Sequence, residues 1–370
     1  MYPQITTDCG PAEWRNESTQ KPPKQAVSLH DAGAAAILNQ ARQDTAVIWR
    51  GDFHNAKQVL AALKKRLRAK RPSEKNDLTP AERFHRHRMR QAQQSRTVNM
   101  LAVEIGAGFR LELPRAPDVR AALADVYGEE NDTPFLLPLN RLLGFVGAHE
   151  WHKKGVDIPA LGGRIHVPFG VFSPLRGEYL DLLMRAELPP SFQTAFDIGT
   201  GSGVLAALLA KRGLRRITAT DNNPRAVACA ADNIARLGLS SRVRVQMQDL
   251  FADESADLIV CNPPWLPARP TSAIETALYD PDHAMLHALL HNAGRHLNDG
   301  GELWIVMSDL AEHLGLRATD DLQNWFAQTG WRVKSSLHTA PRHAKAQNAH
   351  DPLAFARGRE TTTLYCLERA

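Results

Sequence analysis

The rhythm of apolar positions changes partway along this chain. Beyond about residue 166, short apolar runs alternate with segments whose apolar residues recur at three and four. This predicts strands at 194–198, 216–220, 242–247 and 257–261, and helices at 177–186, 204–212 and 224–237. A helix at 283–297, a strand at 302–307, a helix at 320–329 and strands at 332–336 and 361–366 complete the series. Strands alternating with helices at this spacing imply a mostly parallel, doubly wound α/β sheet. In such a sheet the ligand lies beyond the carboxyl ends of the strands, where the winding reverses.

Before residue 165 the pattern is less regular. An Ala-rich stretch at 31–41 predicts a helix, 45–49 a strand and Gly51-Asp52 a turn. Asn55 can cap a helix whose apolar positions are Val59, Leu60, Leu63 and Leu67, ended by Pro72 and Ser73. Thr79-Pro80 opens a second, basic helix. Strands are expected at 98–104 and 109–113, separated by Gly106 and Gly108, followed by helices at 117–126 and 139–154 and a strand at 163–167. The expected organisation is a mixed α/β N-terminal domain over 1–165 and a second domain over 166–370.

With 370 residues, 43% of them hydrophobic and 23% charged, the chain can bury two cores. No apolar run of membrane-spanning length occurs, and Met1 to Gly10 lack signal-peptide character, so a cytoplasmic protein is expected. Cys9, Cys229, Cys261 and Cys366 have no CxxC spacing, which points to free thiols and no metal site. Net charge is +5 but unevenly spread. Residues 57–96 hold 13 Lys/Arg against Glu74, Asp77 and Glu82, a local +10 that leaves −5 for the rest. Within this segment Arg83, His85, Arg86, His87, Arg88 and Arg90 form a dense run. A solvated helical face explains it as well as a polyanion-binding one; RNA is the sharper expectation.

Candidate chemistry sits in the regular half. Asp197-Ile198-Gly199-Thr200-Gly201-Ser202-Gly203 falls where a strand turns into a helix, and its glycines permit a tight turn and close approach to a ligand. Alone it fits a dinucleotide as well as any other cofactor. Asp221 follows at the end of the second strand, placed to accept both hydroxyls of a ribose, with Asn222 beside it. Asp249, after the third strand, can accept from an adenine amino group while Leu250 or Phe251 packs near the ring. An acid ahead of the glycines suits an ammonium better than a pyrophosphate. Asp197 is expected to meet that ammonium, through the loop backbone or water if not directly, and the set favours S-adenosylmethionine over a dinucleotide.

Asn262-Pro263-Pro264-Trp265 follows the fourth strand, 59 residues after Gly203. A rigid turn would account for the prolines. Beside the glycine turn the motif has a chemical reading. A planar NH2 is a poor nucleophile because its lone pair is delocalised. The Asn262 side-chain oxygen and the Pro263 carbonyl can accept its two hydrogens and aim the lone pair, and Trp265 offers a flat face for stacking.

At these residues the chain resembles the class I S-adenosylmethionine-dependent methyltransferases with an Asn-Pro-Pro-aromatic motif, grouped as the small-methyltransferase-domain family. The likeness covers about 165–370. It implies a Rossmann-like seven-stranded domain, cofactor contacts from Asp197, Gly199, Thr200, Gly201, Gly203, Asp221, Asn222, Asp249, Leu250, Phe251 and Asn262, and catalysis by Asn262, Pro263, Pro264 and Trp265. The implied acceptor is an rRNA base amine or a glutamine amide in a translation protein. Gly170-Val171-Phe172-Ser173 is similar to the segment leading into the guanine N2 enzymes, whereas Trp265-Leu266-Pro267 is closer to the glutamine N5 enzymes. Two other readings remain: a non-catalytic scaffold that keeps the fold, and a small-molecule N-methyltransferase. Two long loops, 268–281 and 338–359, border the expected site and suit lids or binding loops. The second holds Arg342, His343, Lys345, His350 and Arg357.

Overall fold

The computed structural model describes residues 2–69, 77–128, 132–175, 177–341 and 351–370. Two compact units result, one of Met1–Leu78 with His85–His152, the other of Thr79–Phe84 with Lys153–Ala370. Among the described residues no helix is long and apolar enough to cross a membrane.

The first unit contains β1 (Gln4–Thr7), β2 (Gly10–Trp14), β3 (Gln25–Leu29), α1 (Ala34–Arg42), β4 (Thr45–Trp49), α2 (Phe53–Ala69), most of α3 (Pro80–Val98), β5 (Leu101–Ile105), α4 (Arg120–Tyr127), β6 (Phe135–Pro138) and α5 (Leu139–Lys154). Its six strands form a closed barrel in the order β1-β2-β6-β5-β4-β3. Parallel pairing of β1 with β3 completes the ring, and Trp14, Ala46, Ile48, Ala102 and Leu136 pack together in its core. Two local expectations change here. Helix α2 begins at Phe53, because the Asp52 side chain, not that of Asn55, accepts the backbone N–H of Asn55 at 3.0 Å. The strand expected at 109–113 is absent: Gly108 and Phe109 both have positive φ, and a 3-10 turn at Ala107–Phe109 bends the chain away from the sheet. The expected helix end at Pro72 and Ser73 lies outside the described residues.

The second unit contains β7 (Val156–Ile158), β8 (Gly163–Ile165), α6 (Glu178–Arg185), β9 (Thr194–Ile198), α7 (Val204–Lys211), β10 (Arg216–Asp221), α8 (Pro224–Arg236), β11 (Val243–Met247), β12 (Ala256–Cys261), α9 (Ala284–Asn292), β13 (Leu297–Ser308), α10 (Leu310–His313), α11 (Asp321–Gln328), β14 (Trp331–Thr339), α12 (Ala354–Arg357) and β15 (Thr362–Arg369). It starts earlier than residue 165 because the β7–β8 hairpin sends Ile158, Leu161 and Ile165 into the same core as Leu182, Leu208 and Val260. Seven strands form one sheet in the order β11-β10-β9-β12-β13-β15-β14. All neighbours are parallel except β15, which runs antiparallel between β13 and β14.

The strands are apolar on both faces, as a sheet covered on two sides requires. On β12, Leu258 and Val260 join one core cluster, and Ile259 and Cys261 the other. Helix α7 is buried along Val204 to Ala210, which explains its nearly unbroken apolar sequence. The helix expected at 283–297 is shorter: α9 stops at Asn292, a 3-10 turn covers Ala293–Arg295, and β13 takes over at Leu297. Gly203 has φ +80°, and a Cβ there would lie 3.2 Å from Ala230 Cα on α8, so glycine is what lets α7 and α8 approach.

Candidate active site

The sheet winds outward in both directions from β9: β10 and β11 lie to one side, β12 and β13 to the other. Register pairs Ile198 at the end of β9 with Cys261 at the end of β12. The glycine turn and Asn262 therefore leave adjacent strands at the same level, in the crevice where a doubly wound sheet binds its ligand. A cavity of about 1020 Å³ opens there.

Gly199, Thr200, Gly201, Asp221, Asn222, Asp249 and Leu250 line it together with Asn262, Pro263, Pro264 and Trp265. Gly199 and Gly201 both take positive φ, which keeps the turn tight. Asp221 braces it: one carboxylate oxygen accepts the Gly201 N–H at 3.0 Å, the other the Asn223 N–H at 2.9 Å. Burial raises the pKa of Asp221, and these two bonds oppose the rise. The Asn222 amide donates to Asp249 at 3.3 Å, which links the turns after β10 and β11.

Three expected residues sit elsewhere. Asp197 is fully buried beneath the turn and does not line the cavity. Its Oδ2 accepts from the Thr200 hydroxyl at 2.6 Å and the Ala206 N–H at 3.0 Å, while Oδ1 is buried with no hydrogen-bond partner. The approach to an ammonium thus runs through the loop it holds. Phe251 turns into the core, stacked on the His296 ring at 4.5 Å and edge-on to Phe196, so Leu250 alone of the pair faces the cavity. Gly203 serves the α7–α8 contact described above.

Burial pushes the Asp197 carboxyl up to about 6; the bonds from Thr200 and Ala206 hold it down, and Asp221 adds to the rise. A carboxyl whose folded pKa lies above its unfolded value favours the folded state below the unfolded pKa, and that contribution is lost as pH rises through about 6. The shift corresponds to about 3 kcal/mol. Asp197→Asn is expected to remove this dependence: its melting temperature should gain on the parent between pH 4 and pH 7. Parallel curves for the two proteins would contradict it.

Trp265 is placed differently from a free stacking platform. Its indole N–H is shared between Asn262 Oδ1 at 3.1 Å and the Val306 carbonyl at 3.2 Å, and the ring packs against both core clusters. The Asn262 side chain is thereby fixed in rotation, with one oxygen lone pair engaged and one left over.

Other cavity residues lie outside the glycine turn and the Asn262 motif. Tyr279, Asp280 and Met285 come from the 268–281 loop and the start of α9. Asp280 caps α9, accepting from the N–H groups of Met285 and Leu286 at 3.0 and 3.2 Å. Gly170, Val171, Phe172 and Ser173 also line the cavity, as do Arg357 and Glu360. Arg342, His343, Lys345 and His350 lie outside the described residues. Cys229, Cys261 and Cys366 are buried free thiols and Cys9 is exposed.

Among curated proteins, the chain is 38% identical over 135 residues to the release factor glutamine methyltransferase of Cereibacter sphaeroides, spanning 33% of this chain and 49% of that one. It is 33% identical over 168 residues to ribosomal RNA small subunit methyltransferase C of Citrobacter koseri, 44% of this chain and 45% of that one. A tRNA1(Val) (adenine(37)-N6)-methyltransferase of Cytophaga hutchinsonii is 32% identical over 126 residues, covering 32% and 52%. The chain thus spans about half the length of the curated relatives it matches. The methyltransferase small domain pattern matches residues 163–334, from β8 into β14 and across the whole glycine turn and Asn262 motif. Over this stretch, somewhat under half of its length, the chain is similar to the methyltransferase small domain family, whose cofactor is S-adenosylmethionine.

Proposed function

We propose that the protein is an S-adenosylmethionine-dependent N-methyltransferase whose acceptor is a planar NH2 on a macromolecule of the translation apparatus, either a base amine in RNA or a glutamine amide. The observation that carries this reading is the single cavity that joins three loop ends with acidic groups to Asn262-Pro263-Pro264-Trp265. The activities for which the relatives are named fit it, since a glutamine amide and the N6 of adenine are both planar NH2 groups.

The residues fit the cofactor. Asp221 keeps a second lone pair on each oxygen for a ribose diol, Asp249 is exposed at the cavity wall for an amino group, and the orphaned Asp197 oxygen supplies negative charge under the loop. Bound there, S-adenosylmethionine supplies an electrophilic methyl. The remaining lone pair of Asn262 Oδ1 and the Pro263 carbonyl accept the two N–H bonds of the acceptor. They hold its lone pair in line and stabilise the positive charge that grows on nitrogen. Trp265 keeps Asn262 in that orientation. The nitrogen gains a methyl and releases one proton to water, so no strong general base is needed.

The first unit is assigned to substrate recognition. Its basic segment lies mainly on α2 and α3; Lys70, Arg71 and Lys75 are outside the described residues. Arg96 is committed within the unit, donating to Asp44 at 2.5 Å and to the Lys21 carbonyl at 2.8 Å, so contact with RNA falls to the other cations. The test is to incubate the protein with methyl-labelled cofactor and extract of a strain lacking it. Label should enter a macromolecular fraction and be released by either RNase or protease. Label confined to small molecules, or none at all, would overturn the reading.

A further inference from the structure

The order of strands decides where along the crevice each part of the cofactor falls. Strands β11, β10, β9 and β12 are consecutive neighbours in the sheet. Asp249 lies beyond β11, Asp221 ends β10, the glycine turn leaves β9 and Asn262 leaves β12. With adenine at Asp249 and ribose at Asp221, a cofactor whose methyl faces Asn262 has its sulfur over the end of β9. That is one strand spacing, about 4.8 Å, from the acceptor side. Gly199 is the first residue past β9 and has φ +68°. The nearest atom to a Cβ placed on it would be the terminal methyl of Met285, at 3.3 Å. Met285, in the first turn of α9, lines the same cavity.

Two backbone ties hold this side chain in place. Asp280, 5% exposed, accepts the Met285 N–H at 3.0 Å and the Leu286 N–H at 3.2 Å. Its own N–H donates at 2.9 Å to the carbonyl of Leu266, the residue after Trp265. The start of α9 is therefore fixed relative to the Asn262 motif. The Met285 side chain packs on the core cluster that contains Ile198 and Cys261, the last residues of β9 and β12. A thioether carries no charge with which to attract or repel a sulfonium, so what it contributes beside one is bulk and a polarisable surface. The space over Gly199 is bounded by backbone on one side and by this methionine on the other, and the methionine sets its size.

We infer that Met285 is a specificity-determining residue that packs against the S-alkyl group of the cofactor and limits that group to methyl. This rests on the methyl-transfer reading above. The test is calorimetric titration of the full chain with three ligands: S-adenosylmethionine, its S-allyl analogue, and S-adenosylhomocysteine, whose sulfur carries no third substituent. The parent should bind the allyl analogue at least about tenfold more weakly than S-adenosylmethionine, the scale on which extra carbons overfill a packed site. Met285→Ala should narrow that ratio to within about threefold. Its affinity for S-adenosylhomocysteine should stay within about threefold of the parent's, because the groups assigned to adenine and ribose are untouched. Equal affinities of the parent for the two sulfonium ligands, or an unchanged ratio in the variant, would overturn the assignment. So would a loss of S-adenosylhomocysteine affinity beyond about threefold, which would set Met285 against the amino-acid part of the cofactor instead. Should Met285→Ala fail to fold, Met285→Val, whose side chain ends two bonds short of the Met terminal methyl, is read by the same ratio. Failure of the underlying reading is distinct: the parent then binds neither S-adenosylmethionine nor S-adenosylhomocysteine.

Discussion

Asn262→Ala is expected to lower methyl transfer by about 10³-fold, the scale on which a single preorganised hydrogen-bonding group acts on a transition state. The variant should still bind S-adenosylmethionine within about threefold of the parent, because the cofactor end of the cavity rests on Asp221, Asp249 and the glycine turn. It should also fold normally. The indole N–H of Trp265 loses Asn262 but keeps the Val306 carbonyl, so no buried donor is orphaned. Asn262→Gln, one methylene longer, should be nearly as inactive, since an acceptor moved by about 1 Å no longer holds the nitrogen in line. Single-turnover kinetics with saturating labelled cofactor measure this. Undiminished turnover in either variant would remove Asn262 from the mechanism.

The second large effect belongs to Asp221. Asp221→Ala should weaken S-adenosylmethionine binding by about 10²–10³-fold, since it removes charge-assisted bonds worth about 1.5–3 kcal/mol each and lets the turn relax. The Gly201 and Asn223 N–H groups both lose their acceptor, so the loss includes preorganisation as well as direct contact. Asp221→Asn should be milder, because one of the two bonds survives. Calorimetric titration distinguishes the two substitutions, and an affinity unchanged in both would remove Asp221 from the cofactor site. Affinity of the parent should fall as acid protonates Asp221, earlier than for an ordinary aspartate because burial raises its pKa.

Much of the second unit was legible in the sequence. Buried parallel strands read as plain apolar runs, and Leu258 to Cys261 are apolar because both faces of β12 are covered. The turn and the Asn262 motif were legible for the same reason: each sits next to such a strand. The barrel was not. Its strands are only four or five residues long, too short for an alternating pattern to stand out, β2 contains Pro11, and ring closure pairs residues far apart in sequence. Glu360 was invisible for a related reason. It follows a long loop and reaches the cavity only because β15 inserts between β13 and β14, 98 residues beyond Asn262. Phe251 misled because an aromatic beside an acid reads equally as a ligand contact or as core, and positive φ at Leu250 decides which side chain faces outward.

The insertion of β15 also sets an order of events during synthesis. Strands β9 to β12, which build the glycine turn, leave the ribosome well before β15, the last strand along the chain. Until β15 arrives, β13 has an unpaired edge over Leu303–Ser308 and Glu360 has no wall to occupy. The nascent domain can thus bring the glycine turn and the Asn262 motif together while the sheet is still incomplete, with the open edge of β13 free to pair with other strands in that interval.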